Sequence, residues 1–451
     1  MEPVTLQTLS QWAGGTLSGG DPERMILRIC TDSRELKRDD LFIALRGENF
    51  DAHAFVGKAV ELGAIGAVVD REMENLPSGF AVITVTDTLV ALQNIAAHYR
   101  RTLPLKAVVI TGSNGKTSTK DFTAAVLARR FKVLKTEGNL NNHIGLPLTL
   151  LRARATDEIG VLEIGMNHPG EIEPLVKIAR PDVGVITNIG LAHIEFMGSR
   201  DAIALEKGML AENIGGGGYL VLDAEDEYTP AVAERTQAKV IRSGIDIVAT
   251  DVQRDSEGIR FTVNANHQSA AVRLAVPGLH MVKNALLAIS VGTIFGLSLE
   301  ECAAGLAETR LTKGRLQLKK VKGIEIIDDS YNANPDSMEA ALKTLAGMPT
   351  QGRRFAALGQ MNELGHESER GHRRVGEAVG REGIDCLITV GNGAALIADA
   401  AVEFGVKEVI RVATTSEAGD FLRERAQPGD LVLVKGSRSV KMETIVEKLA
   451  V

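Results

Sequence analysis

Thr111-Gly112-Ser113-Asn114-Gly115-Lys116-Thr117-Ser118 packs two glycines, a lysine and several hydroxyls into one short run. Such a run can cradle phosphates. Glycine lets backbone N–H groups approach phosphate oxygens, Lys116 can set an ammonium against the β and γ phosphates, and the Thr117 hydroxyl can ligate Mg2+. The spacing, Gly-x-x-Gly-Lys-Thr, is two residues shorter than the common Gly-x-x-x-x-Gly-Lys-[Ser/Thr] loop, which argues against an ordinary motor or switch GTPase. The plain alternative is a Gly-rich turn with an exposed lysine. Glu163 and His193 could add a hard carboxylate and a neutral imidazole for a metal or phosphate. Read alone, each is as readily a solvated loop acid or a surface histidine.

The elements around these residues decide between the readings. An apolar run Ala107–Ile110 precedes the Gly-rich loop and a helical pattern starts near Thr117, so the expected order is strand, loop, helix, with bare N–H groups at the helix start. Glu163 and His193 each fall at or just beyond a β-branched run, Gly160–Ile164 and Val183–Thr187, where ligands of open α/β sheets collect. Short β-branched runs alternate with helical patterns along nearly the whole chain, the pattern of parallel α/β sheets. Expected strands before the loop are Leu27–Cys30, Leu41–Leu45, Ile65–Val69 and Ala81–Val85, followed by a helix Leu89–Arg101. Between Tyr219 and Val276 the runs shorten, and a long helix is expected over Met281–Phe295. Strands at Ile324–Ile327, Arg354–Leu358, Cys386–Val390, Val409–Val412 and Leu431–Val434 suggest a doubly wound sheet at the end. Breaks at Thr102-Leu103-Pro104 and Leu311-Thr312-Lys313-Gly314 divide the chain into expected domains 1–103, 104–313 and 314–451.

Composition narrows the class. The 451 residues call for about three domains at roughly 150 residues each. With 51 Lys and Arg against 58 Asp and Glu the net charge is −7, too thinly spread to neutralise a nucleic-acid backbone. Cys30, Cys302 and Cys386 have no metal-ligand spacing, and an odd thiol fits a reducing cytoplasm. No basic start followed by an apolar run suggests a secretory signal. The longest uncharged apolar stretch, Ala285 to Leu299, is about 15 residues, short of the roughly 18 to 20 that span a bilayer, and reads as a buried helix.

Thr111–Thr117 resembles the ATP loop of the Mur amide ligases and of folylpolyglutamate synthases. The latter have their loop much nearer the start, whereas about a hundred residues precede it here. Those residues carry Thr31-Asp32-Ser33-Arg34 and Ala44-Leu45-Arg46-Gly47-Glu48-Asn49-Phe50-Asp51-Ala52-His53, similar to the uridine-diphosphate-binding domain of two branches of the Mur ligase family. The other branches open with a dinucleotide-like Gly-x-Gly-x-x-Gly turn, which is missing. Asp328-Asp329-Ser330-Tyr331-Asn332-Ala333-Asn334-Pro335 and Leu358-Gly359-Gln360-Met361-Asn362-Glu363-Leu364-Gly365 resemble signatures of the branch that adds a dipeptide. The Asp-Asn-Pro-Arg motif of the diamino-acid-adding branch is absent. The chain is thus identified as a member of the Mur ligase family along its whole length.

This resemblance implies three α/β domains: a uridine-binding domain, a central P-loop ATPase-like domain with a parallel sheet, and a C-terminal Rossmann-like domain. It implies ATP contacts at Gly112 to Ser118, at His280 and Asn284 on the long helix, and at Arg315, Asp329 and Tyr331. The stretches from Glu163 to Glu171 and from Thr187 to His193 resemble the family's metal motifs, so Thr117, Glu163 and His193 become Mg2+ ligands. Lys207 matches the family lysine that adds CO2 to become a carbamate and a further oxygen donor. Nucleotide-sugar and peptide contacts follow at Ser33, Arg34, Arg46, Gly47, Asp51, His53, Asn139, Asn142, Asn332 and Asn334, with Ser437 and Arg438 as a fork for the dipeptide carboxylate. Three positions depart from the family pattern: Ala52 and Ala54 replace Gly and Asp near the uridine site, and Gln360 replaces Asp.

The implied reaction joins D-alanyl-D-alanine to UDP-N-acetylmuramoyl-tripeptide. ATP phosphorylates the tripeptide's terminal carboxylate, and the dipeptide amine attacks the acyl phosphate. Lys116, Glu163, His193, Lys207 and Arg315 are the residues expected to carry the catalysis, with ATP and Mg2+ as cofactors. A cytoplasmic monomer without nucleic-acid or membrane partners is expected. The rivals are a ligase adding a single diamino acid and a P-loop NTPase switch.

Overall fold

The computed structural model describes residues 1–47, 50–255 and 257–450. Glu48 and Asn49, part of the stretch compared with uridine domains, lie outside the described residues. The chain divides into two compact units, Met1–Val109 with Phe131–Gly165 and Glu171–Asp182, and Ile110–Arg130 with Met166–Gly170 and Val183–Val451.

In the first unit a five-stranded sheet runs in the order Thr16–Ser18, Ala81–Thr84, Gly66–Val69, Leu41–Ile43, Ile29–Cys30. All neighbours are parallel except the edge strand Thr16–Ser18. Leu41, Phe42 and Ile43 are fully buried, as a parallel strand covered on both faces requires. The expected strand Leu27–Cys30 is split: Ile29–Cys30 joins this sheet, whereas Met25–Ile26 pairs antiparallel with Val4–Thr5. Leu27, exposed between them, belongs to neither. Helix Thr88–Thr102 starts at Asp87, whose carboxylate accepts from the N–H groups of Leu89 and Val90 at 2.7 and 2.9 Å. It buries Ala91, Leu92, Ile95, Ala96 and Tyr99 on one face, and the extended Leu103 before Pro104 ends it. The same unit holds the parallel pair Val133–Lys135 and Ile159–Glu163.

Strand Lys106–Thr111 leads the chain into the second unit. There, strands Val183–Ile186, Tyr219–Asp223 and Lys239–Ser243 pair in parallel. A three-stranded antiparallel sheet, Val248–Asp255, Gly258–Ala265 and Gln268–Leu274, accounts for the shorter runs in the sequence. The long helix ends at Ile294 and does not continue through the apolar stretch to Leu299. Gly296 turns at φ +80°, and Ser298 caps a new helix, Leu299–Ala307, in a reciprocal box with Glu301.

A six-stranded sheet follows in the order Gln317–Val321, Ile324–Asp329, Leu431–Lys435, Arg354–Gly359, Cys386–Val390, Glu408–Val412. Only the first strand is antiparallel. The last strand in sequence inserts between the second and third, so the strand order reverses there, the point at which open α/β sheets leave a crevice at their carboxyl ends. The loops 330–334, 360–364 and 436–439 emerge at that place.

Candidate functional site

The phosphate-loop expectation is met in geometry. Strand Lys106–Thr111 passes through the loop into helix Lys116–Leu127. Gly112 has φ +147°, and a Cβ there would stand 1.9 Å from Thr187 Oγ1; Gly115 has φ +80°, with Asn284 Oδ1 2.5 Å from where its Cβ would be. Both positions exclude a side chain. The loop rests on the next strand end: Ser113 N donates to Asn188 O and Asn114 N to Asn188 Oδ1, both at 2.9 Å. Lys116 Nζ folds back to donate to Gly112 O at 2.7 Å. Thr117 and Ser118 are buried at the helix start.

In the first unit, Glu163 ends its strand with its N–H donating to Thr136 Oγ1 at 2.9 Å. Its Oε1 accepts from Asn141 Nδ2 at 2.8 Å, while its buried Oε2 has no hydrogen-bond partner. An orphaned carboxylate oxygen is costly to bury unless a cation or donor meets it. Asn141 was not among the expected residues, although it lies inside the same Asn-rich stretch. Asn139 and Asn142 are exposed, and the Asn142 side chain caps the helix that begins at Gly145, accepting from its N–H at 2.9 Å.

Also in this unit, Asp51 accepts from His53 N at 3.0 Å and pairs with His53 Nδ1 and Arg71 at 2.6 Å each. The His53 N–H, the imidazole and Arg71 hold the Asp51 carboxyl well below the usual range. His53 itself is buried, its Nε2 accepting from Asp70 N at 3.1 Å, so it props up this cluster from within. Arg46 and Gly47 are exposed beside it, Arg46 reaching Asp70 at 3.2 Å. Arg34 is exposed and held by Asp32, and Ser33 is half-buried. Asp70 and Arg71 carry no motif and were missed. Ala52 sits in a short 3-10 turn without positive φ, and Ala54 is exposed, so neither substitution strains the backbone.

In the second unit His193 adopts φ +64° and starts a short helix, with Nδ1 2.5 Å from Glu363 Oε2. Desolvation pulls the imidazole pKa down and Glu363 opposes it. Lys207 lies on helix Arg200–Glu212 with 1% exposure. Burial first, and then the Lys116 cation, push its pKa well below the ordinary lysine value.

The C-terminal sheet supplies the remaining residues. Arg315 lies 4.2 Å over the Tyr331 ring, its buried Nε without a partner. Asp329 accepts from Lys435 Nζ at 2.6 Å and from Leu316 N at 3.2 Å. The same Lys435 donates to Asn332 O at 2.9 Å. His280 precedes the long helix, and desolvation brings its pKa down to about 4. The expected Ser437–Arg438 fork is engaged otherwise: buried Ser437 accepts from Asn362 N at 2.8 Å, and exposed Arg438 pairs with Glu443 at 2.7 Å. Gln360 donates to Asn362 Oδ1 at 3.0 Å, within the same loop.

A cavity of about 1230 Å³ brings Lys116, His193, His280, Arg315, Asn334 and Arg438 onto one lining. Among the described residues no group of three His, Cys, Asp or Glu side chains is arranged to hold a metal by itself.

Two family models match the chain, the Mur ligase middle domain over residues 110–292 and the Mur ligase, glutamate ligase domain over 314–438. The UDP-N-acetylmuramoyl-tripeptide–D-alanyl-D-alanine ligase of Bacillus subtilis is 40% identical, covering 99% of this chain and 98% of the relative. Its Escherichia coli counterpart is 37% identical over 100% and 99%. Among solved structures, a crystal structure of MurF from Acinetobacter baumannii superposes with TM-score 0.92 at 35% identity, covering 100% and 99%. MurF ligase from Thermotoga maritima in complex with ADP gives 0.84 at 28%, covering 94% and 97%. Matches of this extent, on a mixed α/β architecture of parallel sheets with a phosphate loop at the expected place, assign the chain to the Mur ligase family, among its UDP-N-acetylmuramoyl-tripeptide–D-alanyl-D-alanine ligases.

Proposed function

We propose that this chain is an ATP-dependent ligase that joins D-alanyl-D-alanine to UDP-N-acetylmuramoyl-tripeptide in the synthesis of peptidoglycan precursors. The observation that carries the reading is a cavity that faces both the phosphate loop and the C-terminal residues Arg315 and Arg438. A terminal carboxylate oxygen of the tripeptide attacks the γ phosphorus and ADP leaves. The dipeptide amine then attacks the acyl carbon, loses a proton and expels phosphate. Little covalent work falls to the protein. The loop N–H groups, Lys116 and Arg315 hold two anions in line and offset the charge that develops on the transferring group.

Mg2+ is the expected metal, and it would supply charge neutralisation on the phosphates. The orphaned Glu163 Oε2 and the buried Thr117 hydroxyl are hard donors that suit it. His193 and a carbamylated Lys207 are the further ligands we assign. His280, Asn284, Asp329 and Tyr331 are assigned to adenosine. The Ser33–Arg34 and Arg46–His53 regions are assigned to the uridine nucleotide, and Asn139, Asn142, Asn332, Ser437 and Arg438 to the peptide substrates. We divide the chain functionally at 1–103, 104–313 and 314–451. A cytoplasmic monomer is the proposed setting; among the described residues no helix is long and apolar enough to cross a membrane.

Phosphate release tests this directly. A ligase of this specificity releases phosphate only when the nucleotide-sugar tripeptide and D-alanyl-D-alanine are both present. Release without any amine acceptor would identify an NTPase switch, and release with a single diamino acid would move the chain to the neighbouring branch.

A further inference from the structure

One side chain carries the C-terminal segment back to the nucleotide loop. Asn334 is the N-cap of helix Pro335–Gly347: its Oδ1 accepts from Ser337 N at 2.9 Å, and Ser337 Oγ accepts from Asn334 N at 3.0 Å. The other end of the same amide, Nδ2, donates to Asn114 Oδ1 at 2.8 Å, across 220 residues of sequence. Asn334 is 9% exposed and Asn114 half-buried, so the bond lies partly buried at the cavity wall. Asn114 is also held by the end of the neighbouring strand, its N–H on Asn188 Oδ1 and its carbonyl accepting from Asn188 Nδ2 at 3.0 Å and from the Thr187 hydroxyl. Two residues further on, Asp336 Oδ2 accepts from Leu191 N at 3.3 Å while Oδ1 pairs with Arg374 at 3.0 Å. One helix start therefore touches both the phosphate loop and the loop that leads to His193.

We infer that Asn334 is a positioning residue for the phosphate loop, holding Asn114 so that the loop's N–H groups are aimed at the transferring phosphate, and does not itself touch substrate. This differs from the peptide contact that the family resemblance implies at this position. The geometry supports the new assignment because both ends of the side-chain amide are engaged within the protein, Oδ1 by the cap and one N–H of Nδ2 by the loop. A loop held by the strand beneath it and by the C-terminal segment above it takes its reactive arrangement only when both are in place, which is where a small displacement costs turnover.

The test separates the two tasks of the side chain. Serine caps a helix about as well as asparagine but cannot reach Asn114, so Asn334→Ser keeps the fold and removes the contact. In the full chain we expect the melting temperature to stay within about 2 °C and kcat to fall about tenfold, with KM for the nucleotide-sugar tripeptide and for D-alanyl-D-alanine changed less than about twofold. In an Asn114→Ala background the same substitution should cost less than about twofold more, because the two residues act through one bond. An unchanged kcat, a tenfold KM rise for either substrate with kcat intact, or an undiminished loss in the Asn114→Ala background would each overturn the inference. It rests on the ligase reading. If the parent protein forms no amide, the four proteins are compared by ADP calorimetry, where coupled losses at positions 114 and 334 support it and additive losses refute it.

Discussion

Lys435 and Asp329 are register partners at the last residues of neighbouring parallel strands, and their side chains meet at 2.6 Å with only 2% and 11% exposure. Burial pulls the Lys435 pKa down and the Asp329 carboxylate opposes it. Because Lys435 also donates to Asn332 O, the pair fixes the loop that carries Tyr331 to Asn334. Removing one partner leaves the other charge buried and uncompensated. Lys435→Met is expected to cost about 3 kcal/mol, and adding Asp329→Asn should recover part of it. Urea unfolding midpoints measure both; a midpoint unmoved by Lys435→Met would show that the pair does not hold the strand ends.

Lys116→Ala should cut ligation at least about a hundredfold, as the loss of one donor to a developing anion does. Lys116 is half-buried and its ammonium donates to Gly112 O and Ser113 O of its own loop, so the variant is expected to fold, which circular dichroism checks. Near-normal turnover in a folded Lys116→Ala protein would exclude the phosphate-loop assignment.

Ser33→Ala combined with Arg34→Ala should weaken nucleotide-sugar binding and leave ATP affinity unchanged. Both residues belong to the first compact unit, and the exposed Arg34 is braced by Asp32. Calorimetry on each ligand decides, and a parallel loss of both affinities would refute the division of labour. A magnitude of about tenfold for the nucleotide sugar matches the loss of one charge-assisted contact.

His280 makes a pH prediction with a definite sign. Its imidazole is ordinary at about 6.5 in the unfolded chain and near 4 in the folded protein, because desolvation disfavours the cation. Above pH 6.5 the ring is neutral in both states and its contribution is complete. Between 6.5 and 4 only the unfolded chain takes up the proton, so stability falls as pH falls, and below 4 this loss stops growing. The expected difference between the parent and His280→Gln across that window is on the order of 1–2 kcal/mol, discounted for the partial exposure of the ring. Parallel stability–pH curves for the two proteins would contradict it.

Local chemistry was legible in the sequence, and long-range pairing was not. The strand, loop and helix around Lys116 could be read because apolar run, glycines and helix start are contiguous. Five of the six C-terminal strands among the described residues were placed to within one or two residues for the same reason, whereas the antiparallel edge strand Gln317–Val321 was missed. Strand order is a different matter. Nothing in the residues near Lys435 marks Asp329, 106 positions earlier, as its partner; that follows from the last strand inserting between the second and third. The Asn334 to Asn114 bond and the Arg71 contact to Asp51 were hidden likewise. Ser437 shows the same limit, since its motif gives no hint that its hydroxyl also accepts from Asn362 N.

The last prediction concerns Lys207. Most lysines on a helix are solvated, and a buried one must find a partner or give up its proton. Here the side chain is 1% exposed, and both burial and the nearby Lys116 cation favour the neutral amine, with Glu206 opposing. A neutral amine is the form that can attack CO2: the nitrogen lone pair bonds to carbon, one N–H proton passes to solvent, and a carbamate anion remains. That exchange converts a group costly to bury near Lys116 into an oxygen donor that attracts it, so the same environment that lowers the amine pKa stabilises the product. Lys207→Ala should lose most activity, about a hundredfold, and regain part of it with small carboxylates that fill the vacated space. Native mass spectrometry of the parent should show an added CO2 that disappears in Lys207→Ala. Full activity in the alanine variant, or an unmodified parent at saturating bicarbonate, would exclude the carbamate.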